Sequence, residues 1–427
     1  MHFSRLRLSR AKTPTRLKSL WPRLYMVVVL TFCASAGAAS SKFHVIGYFT
    51  EDGAQSGSYT VKNVATSGAA AKLTELDYAF GRVAGDQCQI GNHEAALDHS
   101  YSGAQSVDGK ADRSGPGQLR GTFHQLQELK RLYPRLKVIL SFGGWDQSAG
   151  FSSAAQPEHV RDFVRSCVDT FIKGRFAPGI EVPGIFDGID IDWEYPAIGG
   201  GGPGRAGDVK NFTAMLAEFR RQFDAVRPGL LLTAALPAEA ELYEQLELKN
   251  ISSYLDVLSI MAYDEHWSTE PLSNLQSALF HDPADPSQPP LDKRYGDYAV
   301  RGFLAAGVPR EKIVFGVPFY GKGWAVAKDE NHGLYQPASG PLDPIGYREL
   351  KAFPDADRHY DEKVATCTLW NQGKFWSYDC PEAMRAKMNY IRRLKLGGVM
   401  FWELSHDTED GELLRILTPE PARKTKP

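Results

Sequence analysis

The sequence has no acidic residue in its first 39 positions and no excess of basic residues after them. The first segment holds seven basic residues, whereas the rest of the chain has 42 Lys and Arg against 51 Asp and Glu, a formal charge of −9. A nucleic-acid-binding protein needs a concentrated basic surface, so this acidic body argues against that class. A hydrophobic fraction of 43% and a charged fraction of 23% are typical of folded proteins and exclude wholesale disorder.

Long hydrophobic runs are also missing, and the most apolar stretch lies at residues 24–34. At about 11 residues it is shorter than the ~20 that a membrane-spanning helix needs, which argues against an uncleaved anchor. It follows a basic segment and leads into small residues at 34–39, the pattern of a secretory signal peptide. We therefore predict that residues 1–39 are a leader and that the protein is secreted, either extracellular or periplasmic.

Cysteine is scarce, with five residues in 427, and Cys33 lies in the predicted leader. The other four allow three disulfide pairings in an oxidising compartment. They are Cys88, Cys167, Cys367 and Cys380. Because Cys367 and Cys380 are close in sequence, we expect a bridge between them. Their spacing fits no zinc motif, and we predict no metal site.

Eight short apolar runs, many of them rich in β-branched residues, alternate with helical patterns along the chain. The runs lie at 43–49, 76–80, 137–142, 186–192, 230–235, 255–263, 312–318 and 398–402. Near-continuous apolar character is typical of parallel strands that are covered on both faces. The pattern predicts an α/β fold, a (β/α)8 TIM barrel, with its functional site at the carboxyl ends of the strands.

Two stretches interrupt the alternation. Residues 84–117 are rich in Gly, Ser, Asp and His, which predicts a long loop over the barrel mouth. Residues 325–374 are too long for a simple connection between the seventh strand and its helix, and contain a predicted helix and strand. We therefore predict a barrel of residues 40–324 and 375–417, a small α+β insertion of residues 325–374, and a flexible tail of residues 418–427.

The fourth run ends in three carboxyl groups at alternating positions, Asp190, Asp192 and Glu194. Because successive side chains of a strand point to opposite faces, the three acids should share the face toward the barrel axis. Three carboxyl groups in a confined interior cannot all ionise cheaply, so at least one should be protonated at neutral pH. A protonated carboxyl at a strand end can act as a general acid, and Glu194 is the outermost candidate.

The same acids could instead bind calcium or magnesium, because alternating carboxylates can ligate such cations. The flanking residues are bulky and aromatic rather than rich in Asn or in loop backbone oxygens, which favours acid–base chemistry. We accordingly predict neither a cofactor nor a resident metal ion.

The segment Asp187-x-x-Asp190-x-Asp192-x-Glu194 resembles the signature of glycoside hydrolase family 18, the chitinases. Motifs on six other predicted strands resemble those of the same family. They are Gly-Tyr-Phe at 47–49, Tyr-Ala-Phe at 78–80, Ser-Phe-Gly-Gly-Trp at 141–145, Met-Ala-Tyr-Asp at 261–264, Gly-Val-Pro-Phe-Tyr-Gly at 316–321 and Gly-Val-Met-Phe-Trp at 398–402. The insertion is similar to the small α+β domain of the family's deeper-cleft members.

The resemblance implies hydrolysis of β-1,4 linkages between N-acetylglucosamine units with retention, in which the substrate's own acetamide oxygen attacks the anomeric carbon. Glu194 would protonate the leaving oxygen and then activate water. Asp192 would orient the acetamide N–H and stabilise the positively charged intermediate, while Asp190 would bias the proton on Asp192. Tyr263 would donate a hydrogen bond to the acetamide oxygen and help to aim the attack.

Aromatic side chains offer flat apolar surfaces on which the C–H faces of sugar rings pack. Trp402 ends the eighth strand on its inward parity and resembles the family's floor beneath the sugar that is cleaved. Trp145 follows the third strand and is a candidate platform on the leaving-group side. Tyr48 and Asp264 are further candidate wall residues that would bind substrate.

Two positions depart from the family pattern. Glu265-His266-Trp267 follows Asp264 where relatives often have an aromatic residue, His and Gly. An acid and an indole there could reshape the sugar subsites or shift the pH optimum. Lys322 stands where relatives often carry Arg, so a bidentate contact becomes a point charge.

The sequence thus predicts a secreted, monomeric chitinase that binds chitin or chito-oligosaccharides, with no nucleic-acid partner and no membrane contact once the leader is removed. One alternative is a catalytically silent chitin-binding lectin on the same barrel, although such proteins typically lose the acid. Another alternative keeps the chemistry but cleaves N-acetylglucosamine linkages in N-glycans or peptidoglycan.

Overall fold

A closed ring of eight parallel strands forms the centre of the molecule. The structure, a computed structural model, describes residues 43–418 except 57, 114, 199–203 and 329. The strands are β1 (His44–Thr50), β2 (Glu75–Ala84), β3 (Lys137–Gly143), β4 (Gly188–Asp192), β5 (Leu231–Pro237), β6 (Val257–Met261), β7 (Ile313–Pro318) and β8 (Gly398–Trp402). Each strand pairs in parallel with its neighbours in the chain, and β1 also pairs with β8, which closes the barrel. The predicted (β/α)8 TIM barrel is confirmed.

The predicted leader, residues 1–39, lies outside the described residues, as does the predicted tail apart from Thr418. Within the described part of the chain, no helix combines the length and the apolar character needed to cross a bilayer.

Helices connect the strands. The main ones are Val61–Thr66, Gly121–Leu132, Val160–Cys167, Asp208–Val226, Leu248–Tyr254, Gly296–Ala305, Pro381–Leu394 and Glu412–Leu417. Shorter helices lie at Glu51–Ser56, Ala69–Lys72, Phe151–Ala154 and Ala240–Tyr243. In the helix Asp208–Val226 the buried apolar side chains recur three or four residues apart, so one face of this helix packs into the core.

Alternation along β4 separates two layers of the barrel. Ile189 and Ile191 are fully buried in the apolar core that includes the helix faces. Asp190 points the other way, because it is hydrogen-bonded to side chains of β1, β3 and β5 across the barrel interior. The predicted orientation of the acids toward the barrel axis is therefore confirmed.

The insertion is an antiparallel sheet of five strands with one helix, and it is wider than predicted. The strands are Tyr320–Val326, Ala338–Gly346, Asp357–Asp361, Thr366–Asn371 and Lys374–Tyr378, and the helix is Tyr347–Ala352. The first and last strands pair with each other, so both belong to the insertion, and the predicted limits 325–374 cut through them. Its position between β7 and the helix Pro381–Leu394 agrees with the prediction.

Two disulfides tie loops to these elements. Cys367 bonds to Cys380, as predicted, and joins the insertion to the residue before the helix Pro381–Leu394. Cys88 bonds to Cys167 at the end of the helix Val160–Cys167. Cys88 belongs to a short strand that forms a hairpin with the end of β2, so part of the stretch 84–117 has regular structure. Contrary to the prediction, none of the described residues in this stretch lines the cleft at the barrel mouth.

Candidate active site

A cleft of about 750 Å³ opens at the carboxyl ends of the barrel strands. Its walls come from residues in or after β1 to β6 and β8, and from the strands Tyr320–Val326 and Ala338–Gly346 of the insertion. This is where a TIM barrel carries its functional residues, because the loops after the strands converge there. Six of the eight predicted site residues line the cleft, namely Trp145, Asp192, Glu194, Tyr263, Asp264 and Trp402.

Asp190 lies below the cleft and is held by three hydroxyl groups. Tyr48 Oη donates to Oδ2 at 2.8 Å, Ser141 Oγ donates to Oδ2 at 2.7 Å, and Thr233 Oγ1 donates to Oδ1 at 2.6 Å. Burial raises the pKa of Asp190, and the three hydrogen bonds oppose that rise by favouring the carboxylate. The three donors lie on β1, β3 and β5, so Asp190 joins separate strands of the barrel.

The prediction that Tyr48 forms part of the wall of the cleft is wrong. The Tyr48 side chain points inward, as its parity requires, but the residue is 1% exposed and does not line the cleft. Its hydroxyl binds Asp190, and the ring of Trp402 lies 5.3 Å from its own ring. Tyr48 therefore belongs to the layer beneath the cleft and is not a wall residue.

Asp192 lies one inward position above Asp190 and lines the cleft although it is only 4% exposed. Its Oδ1 atom is buried and has no hydrogen-bond partner among the described residues. Burial raises the pKa of Asp192 well above its usual value, and the charges of Glu194, Asp190 and Asp77 raise it further. A buried polar atom without a partner in an open cleft is available to a ligand's hydrogen-bond donor.

Glu194 follows β4, and the pKa of its carboxyl group is raised toward neutrality. Burial raises its pKa to about 7; a hydrogen bond with Tyr195 lowers it, while the charges of Asp264, Glu239 and Asp146 raise it. The backbone N–H of Glu194 donates to Ser148 Oγ at 2.9 Å, which helps to fix the chain where the carboxyl enters the cleft.

Two residues that follow β6 complete the polar wall. Burial raises the pKa of the Tyr263 hydroxyl, and the charges of Asp192 and Asp264 raise it further, so this hydroxyl remains a hydrogen-bond donor. Asp264 has a φ of 57° and accepts a hydrogen bond at Oδ1 from Tyr320 Oη at 2.5 Å. The same oxygen lies 2.7 Å from Lys322 Nζ.

Aromatic rings form the apolar surfaces of the cleft. The Trp402 ring stacks on Phe80, with ring centroids 5.6 Å apart and planes 18° apart, and this contact holds the indole in position. Trp145 is 46% exposed, and its ring lies 5.1 Å from that of Trp267. Indoles that line a cleft and keep part of their surface accessible provide the flat surfaces on which sugar rings pack.

Asp187, which has the opposite parity in the signature, has a different environment. Its carboxylate lies 2.6 Å from Lys130 Nζ and 3.2 Å from Lys137 Nζ, and it also accepts the backbone N–H of Val138. These contacts connect the start of β4 to the helix Gly121–Leu132 and to β3, so Asp187 stabilises the barrel away from the cleft.

Sequence reasoning did not identify all the residues that line the cleft. Glu239, two residues after β5, and Tyr195 line it without a motif that marks them. Trp267 and Lys322 also line it, and the only sequence signal for them was their departure from the family pattern. In the part of the chain that the structure describes, no group of three or more Asp, Glu, His or Cys side chains is arranged to hold a metal ion.

Comparison with known proteins identifies the family of this chain. Residues 44–407 match the family described as glycosyl hydrolases family 18, and the chain belongs to that family. Chitinase C of Streptomyces lividans is 34% identical over 377 residues, which cover 87% of this chain and 58% of that protein. Chitinase 63 of Streptomyces plicatus is also 34% identical, over 383 residues that cover 87% of this chain and 59% of that protein.

A solved structure shares the same fold over nearly its whole length. The catalytic domain of the psychrophilic chitinase B from Arthrobacter TAD20 superposes with a TM-score of 0.82 at 33% identity, covering 88% of this chain and 95% of that one. The chain spans less than two thirds of the length of the two Streptomyces relatives.

Proposed function

We propose that this chain is a chitinase that hydrolyses β-1,4 linkages between N-acetylglucosamine units of chitin and chito-oligosaccharides. One observation carries the proposal: a carboxyl group whose pKa is raised to about 7 lines the same cleft as a buried carboxyl with an unpartnered oxygen. The first group suits proton transfer to a leaving oxygen, and the second suits an amide N–H of the substrate. Similarity to the Streptomyces chitinases over 87% of the chain supports the substrate class.

In the first step, Glu194 donates its proton to the glycosidic oxygen while the bond from that oxygen to the anomeric carbon breaks. The acetamide oxygen of the same sugar attacks the anomeric carbon from the opposite side and forms a cyclic, positively charged intermediate. In the second step, the Glu194 carboxylate takes a proton from water, and this water opens the intermediate. Two displacements at one carbon give retention without a protein nucleophile.

Asp192 and Tyr263 position the attacking group. The unpartnered Oδ1 of Asp192 accepts the acetamide N–H, and negative charge on this carboxyl stabilises the intermediate. The Tyr263 hydroxyl donates to the acetamide oxygen, and burial keeps this hydroxyl protonated. Asp190, whose three hydroxyl partners favour its carboxylate form, biases the proton on Asp192 through its charge.

The walls of the cleft hold the rest of the substrate. Trp402 supports the sugar that is cleaved, and Trp145 supports a sugar on the leaving-group side. Asp264 presents a carboxylate oxygen that is already bound by Tyr320 and Lys322, which keeps it in a fixed position for sugar hydroxyls.

We further propose that the protein is exported, either to the medium or to the periplasm, and acts as a monomer. The pattern of residues 1–39 supports export, and the two disulfides are typical of an oxidising compartment.

The function is tested by incubating the full chain with a chitin hexamer, an N-glycan and peptidoglycan in parallel. We expect cleavage of the hexamer, and NMR soon after mixing should show the β-anomer as the first-formed reducing end. Binding without turnover would identify a lectin, and preferential cleavage of either other polymer would redefine the substrate. Inverted product would exclude attack by the acetamide.

The pH dependence of kcat/KM should follow Glu194. Because the raised pKa of about 7 keeps this carboxyl protonated below neutrality, the proton donor is lost as pH rises through that value. We expect kcat/KM on the hexamer to be highest below about pH 7 and to fall about tenfold per unit well above it. A profile that stays flat to pH 9 would contradict Glu194 as the donor.

A further inference from the structure

Lys322 is a cation of the insertion that reaches the wall of the cleft. It lies on the strand Tyr320–Val326, and its side chain is 7% exposed. Its Nζ atom lies 2.7 Å from Asp264 Oδ1 and 4.1 Å from the ring centroid of Trp267. Among the described residues that line the cleft, Lys322 is the only Lys or Arg.

Trp267 in turn is next to Trp145, with ring centroids 5.1 Å apart. The loops after β3 and β6 therefore contact each other through the Trp145 and Trp267 indoles. The insertion contacts the Trp267 indole through the Lys322 ammonium group. A largely buried ammonium needs a counter-charge, which Asp264 provides, and it gains further from the negative face of an indole. One side chain thus contacts both a polar wall residue and an aromatic wall residue of the cleft.

The charges around Glu194 make this contact relevant to the proton donor. The groups that face Glu194 are the carboxyls of Asp192, Asp264, Glu239 and Asp146 and the hydroxyls of Tyr195, Tyr263 and Tyr320. The negative charge of Asp264 makes the ionised form of Glu194 less favourable, and Lys322 opposes that effect by pairing with Asp264.

We propose that Lys322 is a positioning residue that sets the leaving-group wall of the cleft, holding the Trp267 indole beside Trp145 while neutralising Asp264 next to the proton donor. The inference rests on the proposed chitinase function. It adds a residue that influences both the affinity for substrate and the pH dependence of kcat/KM. Lysine suits this role because a compact point charge can be shared between a carboxylate and the face of a ring.

The test compares Lys322→Met with Lys322→Arg, and uses Lys374→Met as a matched control. Lys374 is an exposed lysine on another strand of the same sheet. For Lys322→Met on the chitin hexamer we expect a rise in KM on the order of tenfold, because the indole loses its cationic partner. We also expect the alkaline limb of kcat/KM to move upward, on the order of 0.5 pH unit, because Asp264 loses its counter-charge.

The variants Lys322→Arg and Lys374→Met distinguish a positioning role of Lys322 from a general effect on the structure. Lys322→Arg keeps the charge and should leave the alkaline limb where it is, and Lys374→Met should change neither KM nor the limb. The proposal is overturned if Lys322→Met moves neither quantity. It is also overturned if Lys322→Met and Lys322→Arg lower kcat equally and neither moves the alkaline limb of kcat/KM.

A third variant, Trp267→Leu, tests the route of the effect. In this background Lys322→Met should raise KM less than about twofold, while the alkaline limb still moves. Full additivity of the two KM effects would show that Lys322 does not act through Trp267.

Calorimetry can measure binding of the hexamer to Glu194→Gln with and without Lys322→Met. Adding Lys322→Met should lower the affinity on the order of tenfold. This binding measurement tests the role of Lys322 even if the unmodified protein does not cleave the hexamer. Absence of cleavage by the unmodified protein would instead contradict the proposed function.

Discussion

Replacing Glu194 by Gln is expected to lower kcat on the chitin hexamer by at least about 10³-fold, because the amide neither donates the required proton nor accepts one from water. The side chains have nearly the same size and the site is largely preorganised by its neighbours, so binding of the hexamer should change little. Single-turnover kinetics measure the chemical step, and calorimetry of the same variant measures binding.

The control for this prediction is Glu158→Gln, which makes the same chemical change at an exposed site far from the signature in sequence. It should retain wild-type kcat and KM. If Glu194→Gln retained near-normal turnover, or if it lost binding and turnover together, the assignment of Glu194 as proton donor would be wrong.

Replacing Asp192 by Asn should lower kcat by about 10² to 10³-fold and change KM much less. The Asn carbonyl can still accept the acetamide N–H, so the sugar binds. What is lost is the negative charge that stabilises the intermediate, and such electrostatic contributions have this magnitude. The measurement is kcat and KM on the hexamer at the pH optimum of each variant, so that any shift of the profile does not distort the comparison.

Asp77→Asn is a matched control, since Asp77 is also a buried inward carboxyl with an unpartnered Oδ1, but it does not line the cleft. Its replacement should lower kcat less than about tenfold, because it removes interior charge without removing a substrate contact. Equal losses from Asp77→Asn and Asp192→Asn would assign the effect to the total charge inside the barrel instead of to Asp192.

The sequence predicts the parts of the site that depend on local periodicity. Asp190 and Asp192 share a face because strand side chains alternate, and this holds without knowledge of the rest of the fold. The eight strands are predictable for the same reason, since each is a short apolar run between helical patterns. The position of Glu194 just beyond the carboxyl end of β4 also follows from its place in the signature.

The partners of these residues are not predictable in this way, because they come from distant parts of the chain. The hydroxyls that bind Asp190 lie 142, 49 and 43 residues away in sequence, and only the register of the barrel brings them together. Tyr48 shows a second limit: parity gives the direction of a side chain but not its depth along the barrel axis. The first and last strands of the insertion in sequence were divided by the predicted boundaries because their pairing is also non-local.

The strand Tyr320–Val326 has a consequence for engineering by domain exchange. Both groups that bind Asp264 Oδ1, the Tyr320 hydroxyl and the Lys322 ammonium, stand at the beginning of this strand. A chimaera that trims the insertion, or grafts one from another enzyme, must therefore keep these two positions or provide substitutes. Otherwise the truncated barrel would retain its signature acids but leave an uncompensated charge beside them.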